Sequence, residues 1–302
     1  MKEHSPVEAV TSIAVVGPGA IGTTIAAALH EAGRTPILCG RTARPYLNLR
    51  DAARSVRVPG PVLTDPARVG RKVDLVFLAV KSTQIEDAAD WLASLCHNDT
   101  VICVLQNGIE QEASVKPYAP QCEVIPSVVW FPAVTEADNS VWLRAKPRLT
   151  VPERPAGKLV ARMLEGTRCA VDLASDFTSL AWRKLLQNAA AGLMVLSGRR
   201  SGMFRRDDIT TLSRQYLEEC LAVARAEGAV LDSTVVSEII DGFKANPPDM
   251  GTSILTDRQA SRPLEWSVRN GVIQRYGQRH GIPTPVSNVV VPLLAAASEG
   301  PG

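Results

Sequence analysis

The sequence predicts an α/β protein in which a doubly wound parallel sheet is followed by a second, all-α domain. Up to about residue 125, short continuous apolar runs alternate with helical patterns, which is typical of a parallel sheet covered on both faces. After about residue 172, long patterns of helical period dominate. We therefore predict two domains, residues 1–173 and residues 174–302.

The elements of the first domain alternate along the chain. Strands are predicted at residues 12–16, 36–39, 74–80 and 100–105, and helices at residues 21–32 and 84–95. Short β-like segments at residues 122–130, 140–143 and 148–151 follow without intervening helices, and we expect them to extend the sheet in antiparallel fashion. The helices predicted for the second domain span residues 177–196, 207–227, 233–243, 263–279 and 285–297.

Composition and charge exclude several classes of partner. A net charge of +2 indicates neither a nucleic-acid nor a membrane-surface partner, and no apolar run reaches the roughly 18 residues of a membrane span. The polar first ten residues do not form a secretory signal. The six cysteines form no C-x-x-C pair, so neither a zinc site nor a disulfide framework is indicated. We expect a cytoplasmic protein that holds no metal and acts on a small molecule.

A glycine-rich turn follows the first predicted strand. Residues 17–22 read Gly-Pro-Gly-Ala-Ile-Gly, which fits the pattern G-x-G-x-x-G directly before an Ala-rich helix. Gly17 permits a tight turn, Gly19 leaves room for a pyrophosphate, and Gly22 lets the helix pack closely on the strand. The backbone amides of Ala20 and Ile21 then point at phosphates from the helix N-terminus. This pattern predicts a dinucleotide-binding domain of the Rossmann type.

The end of the second predicted strand favours NADP(H) over NAD(H). An NAD site carries Asp or Glu there, roughly 20 residues beyond the glycines, to hold the ribose hydroxyls. Here the strand runs into Gly40 and Arg41, and Arg44 follows closely. A guanidinium at this place pairs with a 2′-phosphate and stacks on the adenine. We therefore expect Arg41 to bind the cofactor, the alternative being a solvated surface arginine.

Two later strands end in polar residues, at the edge where open α/β sheets bind ligands. Residues 74–80 run into Lys81, and residues 100–105 run into Gln106 and Asn107. We expect Lys81 to reach the cofactor ribose or a substrate carboxylate, and Asn107 to contact the nicotinamide region of the cofactor or the substrate. The alternative is that Lys81 begins a loop and that Asn107 lies in an ordinary turn.

The second domain carries further candidates. Lys184 and Asn188 lie four residues apart, so they share one face of a helix whose following residues are apolar. A lysine on a buried helix is costly unless it is paired or functional. Glu265 is expected in the first turn of a helix that begins at Pro263, where an acid is also favoured by the helix dipole alone.

In their order and spacing, these residues resemble those of the ketopantoate reductases (2-dehydropantoate 2-reductases), and the resemblance covers nearly the whole chain. The matching positions are Gly17-x-Gly19-x-x-Gly22, Arg41, Lys81, Gln106-Asn107-Gly108, Trp182-x-Lys184 with Asn188, Ser253 with Asp257, Pro263-x-Glu265, Asn270-Gly271 and residues 281–285. The resemblance implies NADPH-dependent reduction of a 2-keto acid, 2-dehydropantoate to pantoate in pantothenate biosynthesis, in the cleft between the two predicted domains.

The resemblance also implies a role for each residue of the second domain. Lys184 matches the family's catalytic lysine, which polarises and protonates the ketone oxygen as hydride arrives, and Glu265 matches an acid that helps to hold the lysine and the substrate. Lys81 matches a position that lines the cofactor. The positions that match substrate contacts are Asn107, Asn188 and Ser253. This assignment suits the chemistry, because hydride addition builds an alkoxide that an ammonium group stabilises and protonates.

One position departs from the family's pattern. The family usually has a second asparagine four residues beyond Asn188, and this chain has Gly192 there. One substrate contact is therefore expected to be missing, which leaves another 2-keto acid or a bulkier ketone open as the substrate. Two alternatives also stay open: a 3-hydroxyacid, opine or imine reductase of the same fold, and a non-catalytic NADP(H)-sensing protein. A homodimer is a further open point.

Overall fold

The computed structural model describes residues 11–300, so the first ten residues, for which no secretory signal is expected, lie outside the described residues. The chain forms two compact units. The first contains the described residues up to Gln106 together with Gln111–Ala174. The second contains Asn107–Glu110 together with the described residues from Ser175 onward. Over residues 11–300, none of the helices combines the length and the apolar character that crossing a membrane requires.

The first unit contains both strands and helices. Its strands are β1 (Ile13–Val16), β2 (Ile37–Cys39), β3 (Tyr46–Arg50), β4 (Ser55–Pro59), β5 (Val73–Leu78), β6 (Cys96–Val104), β7 (Glu123–Pro126), β8 (Val128–Val129), β9 (Ala133–Thr135), β10 (Val141–Leu143), β11 (Arg148–Pro152) and β12 (Ala170–Ala174). Its α-helices are α1 (Ala20–Glu31), α2 (Ala89–Leu95), α3 (Gln111–Val115) and α4 (Pro155–Leu164).

Five strands form a fully parallel sheet in the order β2-β1-β5-β6-β7. Successive residues of β1 belong to different apolar clusters: Ile13 and Val15 to one, Ala14 and Val16 to the other. Both faces of the sheet are therefore covered, which confirms the predicted doubly wound parallel sheet. The order of the strands reverses between β1 and β5, and such sheets bind ligands beyond the carboxyl ends of the strands at this point.

The predicted antiparallel extension of this sheet is wrong. Residues 123–126 add β7 as a fifth parallel strand, while the hairpin β3–β4 joins β10 and β9 in a second sheet. The third sheet contains β8, β11 and β12. Helix α4, which the sequence analysis does not predict, connects β11 to β12 and allows the two strands to pair in parallel. The hairpin was also not predicted, although its buried leucines and valines alternate with more exposed residues.

The second unit is helical, as predicted. Its α-helices are α5 (Phe177–Ser197), α6 (Asp207–Ala226), α7 (Thr234–Ala245), α8 (Ser253–Gln259), α9 (Val272–His280) and α10 (Pro285–Glu299). Residues 188–195 of α5 are all buried, so this helix forms the core of the unit. Gly198 and Gly281 end α5 and α9 with φ angles of 67° and 65°, the left-handed conformation that favours glycine.

The helix predicted from Pro263 begins later than expected. Arg262–Glu265 is irregular, and a π-helical turn, Ser267–Gly271, leads directly into α9. The backbone N–H groups of this segment are used elsewhere: that of Arg262 donates to the carbonyl of Asp257 (2.9 Å) and that of Leu264 to the hydroxyl of Ser298 (2.9 Å). Glu265 therefore does not lie in the first turn of a helix begun by Pro263.

A buried carboxylate joins α6 to α10. Glu219 accepts hydrogen bonds from the backbone N–H groups of Val286 (2.9 Å) and Ser287 (2.7 Å) and from the Ser287 hydroxyl (2.5 Å). These N–H groups belong to the first turn of α10, which has no partners for them within the helix. The negative charge also complements the positive end of the helix dipole.

Replacing Glu219 by alanine should lower the free energy of unfolding by about 2 kcal/mol, because two buried donors and one half-buried donor lose their acceptor. Glu218→Ala is the matched control, since Glu218 is the exposed neighbour on the same helix, and it should change this free energy by less than about 0.5 kcal/mol. Urea denaturation followed by circular dichroism measures both. Equal effects of the two substitutions would contradict the role of Glu219.

Candidate functional site

The glycine-rich turn connects β1 to α1 in the first unit. Gly17 has a φ of +87°, and a Cβ added there would lie 2.8 Å from the backbone nitrogen of Val80. A Cβ at Gly22 would collide with the carbonyl oxygen of Gly17. Gly19 differs, because a Cβ added there meets no atom of the described residues within 4 Å. Two of the glycines are thus required by packing, and the third faces open space in which a phosphate has room.

The N-terminus of α1 is suited to an anion. Gly19 is the N-cap residue, and among the described residues no side chain caps the helix and no acid lies in its first turn. The amides of Ala20 and Ile21 lie in this first turn, whose N–H groups have no carbonyl partner within a helix. These amides and the positive end of the helix dipole favour a phosphate group. The turn therefore fits the pyrophosphate of a dinucleotide.

Two arginines follow β2 in place of an acid. Arg41 is exposed. Arg44 lies against the glycine-rich turn, where its Nη2 donates to the carbonyl of Pro18 (2.8 Å). Burial lowers the pKa of Arg44, and among the described residues its Nε has no hydrogen-bond partner. The end of β2 thus presents positive charge, which suits a 2′-phosphate rather than ribose hydroxyls alone.

Hydrogen bonds hold the carboxyl ends of β5 and β6. Lys81 lies three residues beyond β5 and is half-buried, and its backbone N–H donates to Oε1 of Gln84 (3.3 Å). Gln106, two residues beyond β6, donates from Nε2 to the carbonyl of Val80 (2.9 Å). The backbone of Lys81 therefore lies at the edge of the sheet where the sequence predicts it.

A chain of hydrogen bonds joins polar side chains within the second unit. Nη2 of Arg269 donates to Oδ1 of Asn188 (3.2 Å). Nδ2 of Asn188 donates to Oδ1 of Asn107 (3.3 Å), and Nδ2 of Asn107 donates to Oε2 of Glu265 (3.1 Å). Nη1 of Arg269 also donates to Oγ of Ser253 (3.2 Å), the first residue of α8. The four predicted residues Asn107, Asn188, Ser253 and Glu265 are thus brought together in one cluster, which we call the donor cluster.

Asn107 reaches the donor cluster because the short segment Asn107–Glu110 folds with the helical unit. Gly108 has a φ of +98°, and a Cβ there would lie 3.0 Å from the carbonyl oxygen of Val268. Glu110 forms an ion pair with Arg275 (2.5 Å). Both the left-handed backbone and the close approach of Val268 therefore favour glycine after Asn107.

Lys184 lies one turn before Asn188 on α5, and its side chain is half-buried. Burial, followed by the positive charge of Arg269, lowers the pKa of Lys184 to about 8. An ammonium group with this pKa is mostly protonated at neutral pH but gives up its proton far more readily than an ordinary lysine. This is the property that a general acid needs.

Arg269 was missed by the sequence analysis. It is 2% exposed and belongs to the π-helical turn Ser267–Gly271, a type of turn that is frequent at functional sites. The signal in the sequence is the spacing: an arginine lies four residues after Glu265, which would place the two side chains on one helix face. In residues 11–300, no group of His, Cys, Asp or Glu side chains is suited to hold a metal ion.

Packing explains the glycine at the position where the family pattern has an asparagine. A Cβ on Gly192 would lie 2.7 Å from Nδ2 of Asn270 and 3.1 Å from Cδ1 of Leu294. Asn270 is fully buried, and its Nδ2 donates to the carbonyl of Ala189 (3.0 Å) and the hydroxyl of Tyr216 (2.9 Å). The space beside Gly192 is thus occupied by Asn270.

Comparisons with known proteins agree with this geometry. The family model "Ketopantoate reductase PanE/ApbA" matches residues 13–156, and "Ketopantoate reductase PanE/ApbA C terminal" matches residues 176–298. The 2-dehydropantoate 2-reductase of Mycobacterium tuberculosis is 56% identical over 293 residues, which cover 97% of this chain and 99% of that protein. The 2-dehydropantoate 2-reductase of Caulobacter vibrioides is 34% identical over 95% of this chain and 99% of that protein.

A solved structure is similar over nearly the whole chain. It is that of a dimeric ketopantoate reductase from Staphylococcus aureus, with a TM-score of 0.88 and 26% identity, and the match covers 96% of this chain and 100% of that one. The similarity extends over both the sheet-containing unit and the helical unit.

Gly192→Ala should lower the free energy of unfolding by about 1–3 kcal/mol, because the new methyl group displaces Asn270 and Leu294 from a close-packed interior. Gly242→Ala on α7 is the matched control: it is an exposed helical glycine, and a Cβ there meets no described atom within 4 Å. This control should raise the free energy of unfolding by up to about 1 kcal/mol. Urea denaturation of both variants provides the measurement, and a stabilising Gly192→Ala substitution would contradict the packing account.

Proposed function

The chain belongs to the ketopantoate reductase PanE/ApbA family, and from this premise we propose that it reduces 2-dehydropantoate to pantoate with NADPH. The membership confirms the resemblance seen in the sequence. The observation that carries the proposal is Lys184, a lysine of lowered pKa that lies one turn from Asn188 of the donor cluster. Such a group suits a ketone reduction because the reaction requires a proton donor next to a developing alkoxide.

The proposed roles follow from the chemistry of the side chains. NADPH, when bound, supplies the hydride for the ketone carbon. The ammonium of Lys184 stabilises the developing negative charge on the ketone oxygen and then donates its proton to that oxygen. The N–H groups of Asn107 and Asn188 and the hydroxyl of Ser253 bind the carboxylate and the hydroxyl of the substrate. Glu265 holds Asn107 through the 3.1 Å hydrogen bond.

We assign the cofactor to the first unit. The glycine-rich turn and the amides of Ala20 and Ile21 would hold the pyrophosphate, and Arg41 would pair with the 2′-phosphate. Lys81, at the carboxyl end of β5, would contact the ribose. The open space beside Gly19 and the positive charge at the end of β2 support this assignment.

The proposed setting is a reducing compartment. All six cysteines are free and buried, which suits the cytoplasm. We also propose a homodimer, since the similar protein from Staphylococcus aureus is described as dimeric. Val289 and Leu293, one turn apart on α10, are 60% and 51% exposed and are candidates for its interface.

Lys184→Met should lower kcat for 2-dehydropantoate reduction by about 10²-fold or more, because both the proton donor and the positive charge are lost. In the unmodified protein, kcat/KM for reduction should be sustained below pH 8 and fall as the pH rises through about 8, because the protonated lysine is the active form. NADPH oxidation followed by absorbance measures both effects.

Arg183→Met is the matched control, because Arg183 is the exposed neighbour whose Nη2 pairs with Glu238 (2.5 Å). It should leave turnover nearly unchanged. Normal turnover in Lys184→Met would contradict the assigned role of Lys184. The assigned substrate would be wrong if the protein turned over another 2-keto acid, a 3-hydroxyacid or an amine–ketone pair in place of 2-dehydropantoate. NADPH binding without any turnover would indicate a sensing protein.

Two substitutions separate the parts of the cofactor site. Gly19→Ala should weaken the binding of NADPH and NADH alike by about tenfold or more, since the methyl group enters the pyrophosphate space. Arg41→Ala should weaken the binding of NADPH by about 10–100-fold and that of NADH little, since only NADPH carries the 2′-phosphate. Fluorescence titration measures all four dissociation constants.

Gly70→Ala is the control for Gly19→Ala, because it adds a methyl group to another exposed glycine of the same unit with open space around it. It should leave the affinity for both nucleotides unchanged. Equal losses of NADPH and NADH affinity in Arg41→Ala would show that Arg41 does not read the 2′-phosphate.

A further inference from the structure

The hydrogen bonds that link Arg269, Asn188, Asn107 and Glu265 in the donor cluster all run in the same direction, from donor to acceptor. This chain of hydrogen bonds begins at the guanidinium of Arg269 and runs through the amides of Asn188 and Asn107 to the carboxylate of Glu265. A guanidinium can only donate hydrogen bonds, and a carboxylate can only accept them. Each amide oxygen is therefore turned toward Arg269, and each amide nitrogen is turned away from it along the chain.

This direction decides what the two amides offer to a ligand. A primary amide carries two N–H bonds, and the chain uses one of them in each asparagine. The second N–H of each is available to a ligand, while each oxygen already accepts a hydrogen bond within the chain. Ser253 also accepts from Arg269, which leaves its hydroxyl proton for another acceptor. Three groups around the cluster thus act as donors.

We propose that Arg269 is a positioning residue that makes this site specific for a carboxylate: it fixes the amides of Asn188 and Asn107 and the hydroxyl of Ser253 as donors toward the substrate. Its positive charge adds a long-range preference for an anion. This role rests on the proposed function and names the feature of the substrate, the 2-oxo acid carboxylate, that the site recognises.

The surroundings of Arg269 argue against a purely structural role. The side chain is 2% exposed, its hydrogen-bond partners Asn188 and Ser253 are neutral, and among the described residues its Nε has no hydrogen-bond partner. Burying a cation in this way is costly, and a well-packed apolar side chain often stabilises a protein more. The negative charges of Glu265 and Asp257 favour the charged form of Arg269, whereas burial, the larger effect, lowers its pKa.

The same residue also acts on the proton donor. The positive charge of Arg269 is one of the two causes that lower the pKa of Lys184. A bound carboxylate would offset that charge, so substrate binding would raise the affinity of Lys184 for the proton that it must deliver. Binding of the acid and protonation of the donor are thereby coupled.

The test compares two substrates and three variants. The substrates are 2-dehydropantoate and its primary amide, which replaces the carboxylate by a neutral group of similar size. Arg269→Met removes both the positive charge and the N–H donors of the guanidinium. Arg269→Lys keeps the charge but loses the paired N–H donors of the guanidinium. Arg279→Met is the control. Arg279 is exposed on α9 and pairs with Glu227 (3.6 Å), outside the donor cluster. Both kcat and KM are measured for each substrate across pH.

Arg269→Met should lower kcat/KM for the acid by about 100-fold, mainly through KM, and change that for the amide by less than about threefold. The alkaline limb of its pH profile should move above pH 8, because Lys184 loses a positive neighbour. Arg269→Lys should lose much of the preference for the acid while its alkaline limb stays in place. Arg279→Met should behave like the unmodified protein.

Equal losses for acid and amide, with an unmoved alkaline limb, would overturn this role and make Arg269 a structural residue. If Arg269→Met fails to fold, as judged by NADPH binding and thermal melting, the acid-to-amide ratio of Arg269→Lys decides alone. Turnover of a different 2-oxo acid by the unmodified protein would overturn only the proposed substrate. The role of Arg269 would then be tested in the same way, with that acid and its primary amide. Failure on every 2-oxo acid would overturn both.

Discussion

The burial of a guanidinium among helices is the constraint on which the arrangement of the helical unit depends. Arg269 is almost inaccessible to water, so its N–H groups depend on acceptors inside the protein. Two of those acceptors are Asn188 in the middle of α5 and Ser253 at the start of α8, and the π-helical turn brings Arg269 to both. Three separate elements are therefore held together by one side chain, and the orientation of each polar group follows from its position in the chain of hydrogen bonds.

In the first unit the corresponding constraint is the close approach of backbone segments to one another at the glycine-rich turn. Gly17 and Gly22 are required because any side chain would collide with residues 79–80, just beyond β5, or with the turn itself, whereas no described residue occupies the space beside Gly19. The same sequence pattern thus contains two kinds of glycine: Gly17 and Gly22 are required by packing, whereas Gly19 faces open space. Strands β1 and β5 are parallel neighbours, so the turn after β1 and Lys81 after β5 lie at the same edge of the sheet. This is the point of strand-order reversal, where sheets of this type bind ligands.

The sequence predicted those features that depend on local pattern. The parallel sheet follows from continuous apolar runs, and helices α5, α6, α7 and α10 follow from long helical periodicity. Features that depend on distant partners were missed. The start of the helix at Pro263 was wrong because Leu264 donates to Ser298, which lies 34 residues away. Helix α4 is the exception: its buried residues Ala156, Val160 and Leu164 have local helical spacing, which the sequence analysis overlooked. Arg269 was missed because its two hydrogen-bond partners, Ser253 and Asn188, lie 16 and 81 residues away in sequence.

The role of Gly192 becomes clear only together with that of Asn270. The glycine alone indicates a lost substrate contact, because the family pattern has an asparagine there. In the structure a fully buried asparagine from the π-helical turn occupies the space beside the glycine and binds the backbone of α5. Asn270 and Arg269 are neighbours on that turn, so the packing that requires Gly192 also holds the guanidinium against Asn188. The π-helical turn therefore links position 192 of α5 to the donor cluster, because it carries both Asn270, which packs against Gly192, and Arg269, which binds Asn188.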